Sequence, residues 1–288
     1  VLRTPHQEGQ RIDVGAIEDA LRADTAHRIS AVMAVHTDTA SGMTSDLAAI
    51  RQAIDRTGHP ALYVVDVVAS LAAAPFDMDA LGVDVCLGSS QKGLMMPPGL
   101  GFVAANAKAF EWSIQHAKPR FYWSWQERKT DNQSAKFCGT PPLAHMAGLE
   151  VSLGLLKAEG LDAVHARHQR LGGAVQAAVR CWATAGAVKL HCKDPLGFSS
   201  SVTAVEVSPG IDPEALRVVA REKFQVAMAG GLGPLAGRVF RIGHLGDMNE
   251  PMILGALAGI EAAMTVQKIP YGPNGMAAAI AYLAQHTP

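Results

Sequence analysis

Up to Ala105 the chain alternates short apolar runs with stretches whose apolar residues recur at helical spacing. The runs lie at 28–35, 61–66, 83–87 and 100–105. Brief continuous runs of this kind predict strands buried on both faces of a parallel sheet. Ahead of the first run, Asp13 precedes Val14, Ile17, Ala20 and Leu21, an N-cap followed by one helix face. Between the first two, Leu47 to Ile54 reads as a helix closed by Gly58-His59-Pro60. Strand, helix and strand form a right-handed crossover, which puts the loops after both strands on one sheet edge. The pattern predicts an α/β fold.

Beyond Ala105 a helix carrying Phe110 and Trp112 leads into a loop-rich, aromatic stretch over 113–142, with Phe121-Tyr122-Trp123-Ser124-Trp125. Met146, Leu149, Val151, Leu153 and Leu156 predict a helix from Leu143 to Lys157, and Gly160 breaks it. A second helix runs from Leu161 to about Cys181. Strands are expected at 201–207, 225–229 and 239–244, and helices from Pro213 to Lys223, from Met252 to Met264, and up to about Gln285. This division gives a large domain over 1–158 and a smaller α/β domain over 159–288.

With 288 residues, 49% hydrophobic and 18% charged, the chain has ample material for a core. A net charge of −1 gives no reason to expect nucleic acid or an anionic membrane as partner. The apolar runs fall short of the roughly 18 residues of a membrane span. Cys86, Cys138, Cys181 and Cys192 show neither CxxC nor zinc spacing and read as reduced thiols of a cytoplasmic protein. No metal site is expected. His165, Arg167, His168 and Arg170 share one helix, and a solvated helix face is the expectation for them. The Gly-rich run 230–237 is interrupted by Pro234, which argues against a dinucleotide loop.

The candidate chemistry centres on Gly88-Ser89-Ser90-Gln91-Lys92-Gly93 and, five residues after the lysine, Pro97-Pro98-Gly99. Asp66 ends the preceding apolar run. Two readings are open for this pair. Lys92 is a solvated loop lysine and Asp66 a strand-end cap; or Lys92 is an amine that forms an imine with pyridoxal 5'-phosphate, with Asp66 holding the ring nitrogen protonated. Ser89, Ser90 and Gln91 could offer donors to a phosphate. Arg241 could bind a carboxylate through two parallel hydrogen bonds.

Taken in order, Asp66-Val67-Val68-Ala69-Ser70, Gly82-Val83-Asp84-Val85, Ser89 to Leu94, Pro97-Pro98-Gly99 and Val239 to Asp247 resemble the class V aminotransferases of pyridoxal-phosphate fold type I. The serine–glyoxylate and alanine–glyoxylate branches are the most similar. The resemblance implies a mostly parallel sheet in the large domain, and Lys92 as the catalytic amine. It implies a cofactor site including Asp66, Thr39, Ser70, Ser89, Ser90, Gln91 and Thr140, with Arg241 binding the substrate carboxylate. Thr140 would reach a neighbouring subunit's cofactor phosphate across a homodimer interface, which the aromatic 113–142 segment would help to form. Small amino acids and 2-oxo acids are the implied substrates, with no catalytic role for His244. The segment from His36 to Gly42 resembles the family's His-x-Glu-Thr-Ser-x-Gly, with Asp38 in place of Glu and Ala40 in place of a hydroxyl residue.

Two features depart further. Phe137 stands where alanine–glyoxylate relatives have a phosphate-reaching tyrosine, and no Gly-rich phosphate loop precedes Asp66. The alternatives are a class V lyase or desulfurase, with Cys138 as its only loop cysteine, and a catalytically silent binding or dimerising module.

Overall fold

The structure, a computed structural model, describes residues 1–5, 7–116 and 118–287. Helix α1 (Val14–Ala23) starts where Asp13 accepts the amide of Ala16. Strand β1 (Ala31–Val35) is followed by a small hairpin, β2 (Thr37–Asp38) and β3 (Met43–Thr44). Helix α2 (Leu47–Thr57) is capped by Asp46 at its start and by Gly58 in the left-handed region at its end. Strands β4 (Leu62–Asp66), β5 (Val85–Ser89) and β6 (Gly101–Ala105) complete a sheet of order β1-β4-β5-β6. The first three strands are parallel and β6 is antiparallel.

One face of this sheet, with Val32, Ala34, Tyr63 and Val65, is packed by Ile17 and Leu21 of α1 and by Ile50 and Ile54 of α2. On the other face, helix α3 (Ala107–Gln115) and the short α4 (Trp125–Arg128) bring Ala109, Trp112 and Trp125 over Leu62 and Val85. Met33 on that face is 74% exposed, so β1 is covered on one face only, contrary to the expectation from its continuous apolar run.

Helices α5 (Leu143–Glu159) and α6 (Leu161–Trp182) lead to a second sheet. It contains β7 (Val188–Leu190), β8 (Val202–Val207), β9 (Ala229–Gly230) and β10 (Val239–Gly243), in the order β7-β8-β10-β9 and antiparallel throughout. Helices α7 (Pro213–Phe224), α8 (Glu250–Val266) and α9 (Gly275–Gln285) close its core with α6, around Trp182, Val205, Phe240, Leu257 and Ile260. The expected strand at 225–229 is corrected. Gln225 sits at φ 58 as the C-cap of α7, and the amide of Val226 turns back to Ala220, which leaves two residues for β9.

The two sheets are joined through the hairpin. Ser199 donates to the carbonyl of Gly42 at 3.2 Å and Thr44 to that of Gly197 at 2.8 Å. Gly42 packs so closely on β8 that a β-carbon there would lie 2.9 Å from the amide nitrogen of Ala204. The loop after β1, expected to carry Thr39 at the ligand edge of the sheet, is therefore also a bracket between the sheets. Among the described residues no helix is long and apolar enough to cross a membrane.

Candidate active site

The register of the first sheet sets Val35, Asp66 and Leu87 side by side. Strand alternation then places Asp66 and Ser89 on the face away from α1 and α2. Asp66 is half-buried; its Oδ1 accepts the amide of Val68 at 2.8 Å, and Oδ2 has no hydrogen-bond partner among the described residues. The hydroxyl of Ser89 is buried and unpartnered. Lys92, half-buried in the loop after β5, has no hydrogen bond or ion pair for its ammonium among the described residues. One sheet end thus gathers a half-exposed carboxylate oxygen and amine beside a buried, unpartnered hydroxyl, and a buried polar atom without a partner is the unusual member of the three.

The lysine loop is held from three sides. Gly93 lies on the turn that follows Asp66, so near that a β-carbon would fall 2.2 Å from the carbonyl oxygen of Leu71. On the second side α5 provides Ser152, whose hydroxyl donates to the carbonyl of Leu94, and His145, whose Nε2 lies 3.1 Å from the carbonyl of Pro98. On the third, Met95 lies beside Gly246 in the turn after β10, 3.5 Å from where a β-carbon there would sit. Leu94 is packed with Ala72, Leu156 and Val164.

Arg241 is in the middle of β10, paired with Ala204 and Ala229. Its side chain reaches the hairpin of the first sheet, where NH1 donates to the carbonyl of Thr39 at 2.7 Å while Nε donates to that of Gly230 at 2.7 Å. Arg241 is 8% exposed; burial lowers its pKa, and the nearby charge of Asp38 opposes that shift. Asp38, standing where the family has Glu, shapes the turn by accepting the amides of Ala40 and Ser41, each at 3.1 Å, and the Ser41 hydroxyl at 2.5 Å.

Asp66, Ser89 and Lys92 thus share one sheet end, and Thr39 touches Arg241. Other expected residues are placed differently. Ser90 is fully buried, donates to the carbonyl of Pro97 at 2.8 Å and accepts the amide of Leu100 at 3.2 Å, so its hydroxyl closes the loop instead of facing a phosphate. Ser70 is also fully buried and donates to the carbonyl of Val67 at 3.4 Å. Gln91 and Thr140 are exposed, and Thr140 belongs to the 113–142 stretch rather than to the sheet end.

The basic quartet on α6 is not a solvated face. His168 is fully buried, Arg167 is tied to Glu159, and Arg170 donates to Glu250. The sequence reading also missed Ser152 and His145, because a lone serine or histidine in a helix carries no signal of what faces it. A concavity of about 960 Å3 lies on the α3 and α4 face of the first sheet, lined by Trp112, Phe121, Trp123 and Trp125, and includes none of Asp66, Lys92 and Arg241. Among the described residues no cluster of side chains has a metal-binding arrangement.

The sequence pattern of the class-V aminotransferases matches residues 1–234. The chain belongs to that family. It is similar to the serine–glyoxylate aminotransferase of Methylorubrum extorquens, with 41% identity over 276 residues, 94% of this chain and 68% of that one. It is 39% identical over 288 residues to the L-aspartate–glyoxylate aminotransferase of Paracoccus denitrificans, covering 99% of this chain and 71% of that one. Among solved structures, the pyridoxamine–pyruvate aminotransferase from Mesorhizobium loti superposes with a TM-score of 0.86 at 28% identity, over 97% of this chain and 70% of that one. This class-V aminotransferase has the α/β architecture, with parallel strands in its first sheet, of that structural neighbour.

Proposed function

We propose that this class-V aminotransferase moves an amino group from a small amino acid, serine or alanine by preference, to glyoxylate or a related 2-oxo acid, with pyridoxal 5'-phosphate bound between Lys92 and Asp66. The observation that carries the reading is the unpartnered set at one sheet end: the Lys92 amine, Asp66 Oδ2 and the buried Ser89 hydroxyl. The cofactor's own groups match that set, since its aldehyde needs an amine, its ring nitrogen a carboxylate and its phosphate a hydroxyl donor. When bound, it supplies a carbonyl for amines and a ring that accepts the electron pair left when a proton leaves Cα.

Lys92 would take the Cα proton as general base and return a proton as general acid. Asp66 keeps a proton on the ring nitrogen, a role its half-buried position strengthens by weakening competition from water. Ser89 donates its hydroxyl to the phosphate. Arg241 orients the carboxylate common to amino acid and oxo acid; its Nε and NH1 each donate to a backbone carbonyl, which leaves the second hydrogen of NH1 and both of NH2 as donors. Thr39 stands beside it.

We read residues 1–158 and 159–288 as the large and small domains, and the protein as a homodimer. The support for a dimer is α5, where Leu143, Val151, Leu153 and Leu155 are exposed, together with exposed Phe121 and Trp123. Thr140 lies between these two apolar surfaces in the chain. The desulfurase alternative lacks support, because the Cys138 thiol is donated to the carbonyl of Tyr122 at 3.0 Å.

Titration with pyridoxal 5'-phosphate tests the reading. Wild-type protein is expected to gain a visible absorbance band with a stoichiometric endpoint and to transaminate glyoxylate. Lys92→Ala is expected to lose the lysine-dependent band and the turnover. Absence of stoichiometric uptake would mean a binding module; a wild-type spectrum in Lys92→Ala would remove Lys92 from the chemistry. Trials of serine, alanine and aspartate as donors then identify the substrate.

A further inference from the structure

The basic helix α6 carries a device that the reaction has not yet used. Arg167 forms a two-pronged ion pair with Glu159 of α5, Nε to Oε1 at 2.7 Å and NH2 to Oε2 at 2.8 Å. Its remaining NH1 donates to two backbone carbonyls of the turn after β10, Gly246 at 2.7 Å and Met248 at 3.0 Å. One turn of the same helix is also latched by His168, whose Nε2 accepts the amide of Gly246 at 2.9 Å. His168 Nδ1 lies 2.7 Å from the carbonyl of Val164, which can only accept, so Nδ1 carries the proton and Nε2 is the lone-pair nitrogen. Three hydrogen bonds from neighbouring residues of α6 therefore fix both polar backbone groups of Gly246 and the carbonyl of Met248.

That turn has a particular place. It follows β10, which carries Arg241, and Gly246 lies beside Met95, three residues after Lys92, so near that a β-carbon on Gly246 would touch the Met95 side chain at 3.5 Å. His244, between them, is fully buried against Gly172 of α6, with its Nε2 2.9 Å from the hydroxyl of Thr203. The turn thus spans from the carboxylate-binding strand to the amine-bearing loop, and α6 and α5 anchor it.

We propose that Arg167 and His168 are positioning residues that set the spacing between Arg241 and Lys92 through the 244–248 turn. This rests on the reading of Arg241 as the carboxylate site and of Lys92 as the amine. A substrate bridges the two, its carboxylate on one and its reacting carbon at the other, so slack in the turn weakens binding of both amino acid and oxo acid. Arg241 holds the carboxylate before and during the reaction, so the effect falls on KM with kcat little changed.

The test uses three variants in the cofactor-loaded protein, with hydrogen exchange of 244–248 measured beside the kinetics. In His168→Leu the acceptor for the Gly246 amide is gone; exchange across the turn is expected to speed up and KM for glyoxylate to rise about five- to tenfold. His168→Gln restores an acceptor and is expected to recover both to within about twofold of wild type. Arg167→Lys keeps the charge beside Glu159 but cannot hold the two carbonyls together, and is expected to raise KM similarly. Unchanged exchange and KM in His168→Leu and Arg167→Lys would overturn the proposal, as would equal impairment in His168→Leu and His168→Gln, or a loss confined to kcat. Arg241→Lys separates the two levels. If it raises KM while the α6 variants do not, the positioning role alone fails; if it leaves KM unchanged, the carboxylate reading fails and the positioning role goes with it.

Discussion

Gly93→Ala is the smallest change that should disturb the chemistry without touching a reacting group. A β-carbon at residue 93 would lie 2.2 Å from the carbonyl oxygen of Leu71 and 3.2 Å from the amide nitrogen of Ala73. Carbon and oxygen in close contact sit near ~3.3 Å, so loop and turn must separate by about 1 Å. Both partners are backbone, and neither can rotate away. Overpacking of this kind costs about 1–3 kcal/mol, seen as a fall of a few degrees in Tm. The kinetic effect should be larger. Lys92 is the adjacent residue, the turn is the one that follows Asp66, and a displacement of about 1 Å between reacting groups costs up to about a hundredfold in rate. Steady-state kinetics and thermal unfolding would be measured on Gly93→Ala beside Gly101→Ala, where nothing lies within 4 Å of the added carbon. Gly101→Ala should match wild type. Gly93→Ala with wild-type kcat/KM would refute the claim that the 71–73 turn sets the position of Lys92.

Two further outcomes concern stability. Burial pushes the pKa values of His36 and His244 down to about 4. In the unfolded chain they take up protons near the ordinary value of about 6.5, so the unfolded state binds more protons between the two values, and stability is full above about pH 6.5 and lost as pH falls toward 4. Fully buried His244 accounts for about 3 kcal/mol of that loss; urea unfolding of His244→Gln should show an acid limb shallower by that order, and an unaltered limb would count against it. Asp84, buried at the start of β5, accepts the amide of Tyr63 and the side chain of Asn106, each at 2.8 Å, and Lys108 at 3.1 Å. Asp84→Asn turns an acceptor into a donor among three donors and should cost about 1–3 kcal/mol of unfolding free energy with kcat unchanged, since it lies at the sheet end opposite Asp66.

The elements whose ends are written locally were readable from the chain. Asp13, Asp46 and Asp212 cap their helices through their own side chains, and Gly58 takes the left-handed cap. Position 225 reads as strand because Val226 and Met228 alternate as a strand would, while Gln225 adopts a cap conformation usually left to glycine or asparagine. The strand Val188–Leu190 is three residues long, too short for an alternating signal. Within the site, residue type was readable and direction was not. Ser89 and Ser90 are equivalent as letters, yet one presents a buried unpartnered hydroxyl and the other spends its own on Pro97 and Leu100. The charges of Arg167 and Arg170 suggested solvent because their partners, Glu159 and the carbonyls of Gly246 and Met248 for one and Glu250 for the other, lie up to 81 residues away in the chain.

Arg241 ties these parts together, because one guanidinium has two tasks. Through NH1 it fastens the second sheet to the carbonyl of Thr39, in the hairpin that directly follows β1, and through Nε it fixes its own strand to Gly230. The backbone of His36, at the root of that hairpin, donates to the carbonyl of Asp66 at 2.8 Å. One side-chain and one backbone hydrogen bond, joined by the chain from His36 to Thr39, therefore connect the cation proposed to bind the carboxylate to the residue proposed to face the cofactor ring, independent of the path through Gly246 and Met95. A lysine at 241 could supply charge but not three directed donors at fixed angles. Position 241 needs an arginine for its shape as much as for its charge, and on the proposed reading a substrate carboxylate would meet a group whose orientation the fold has already set.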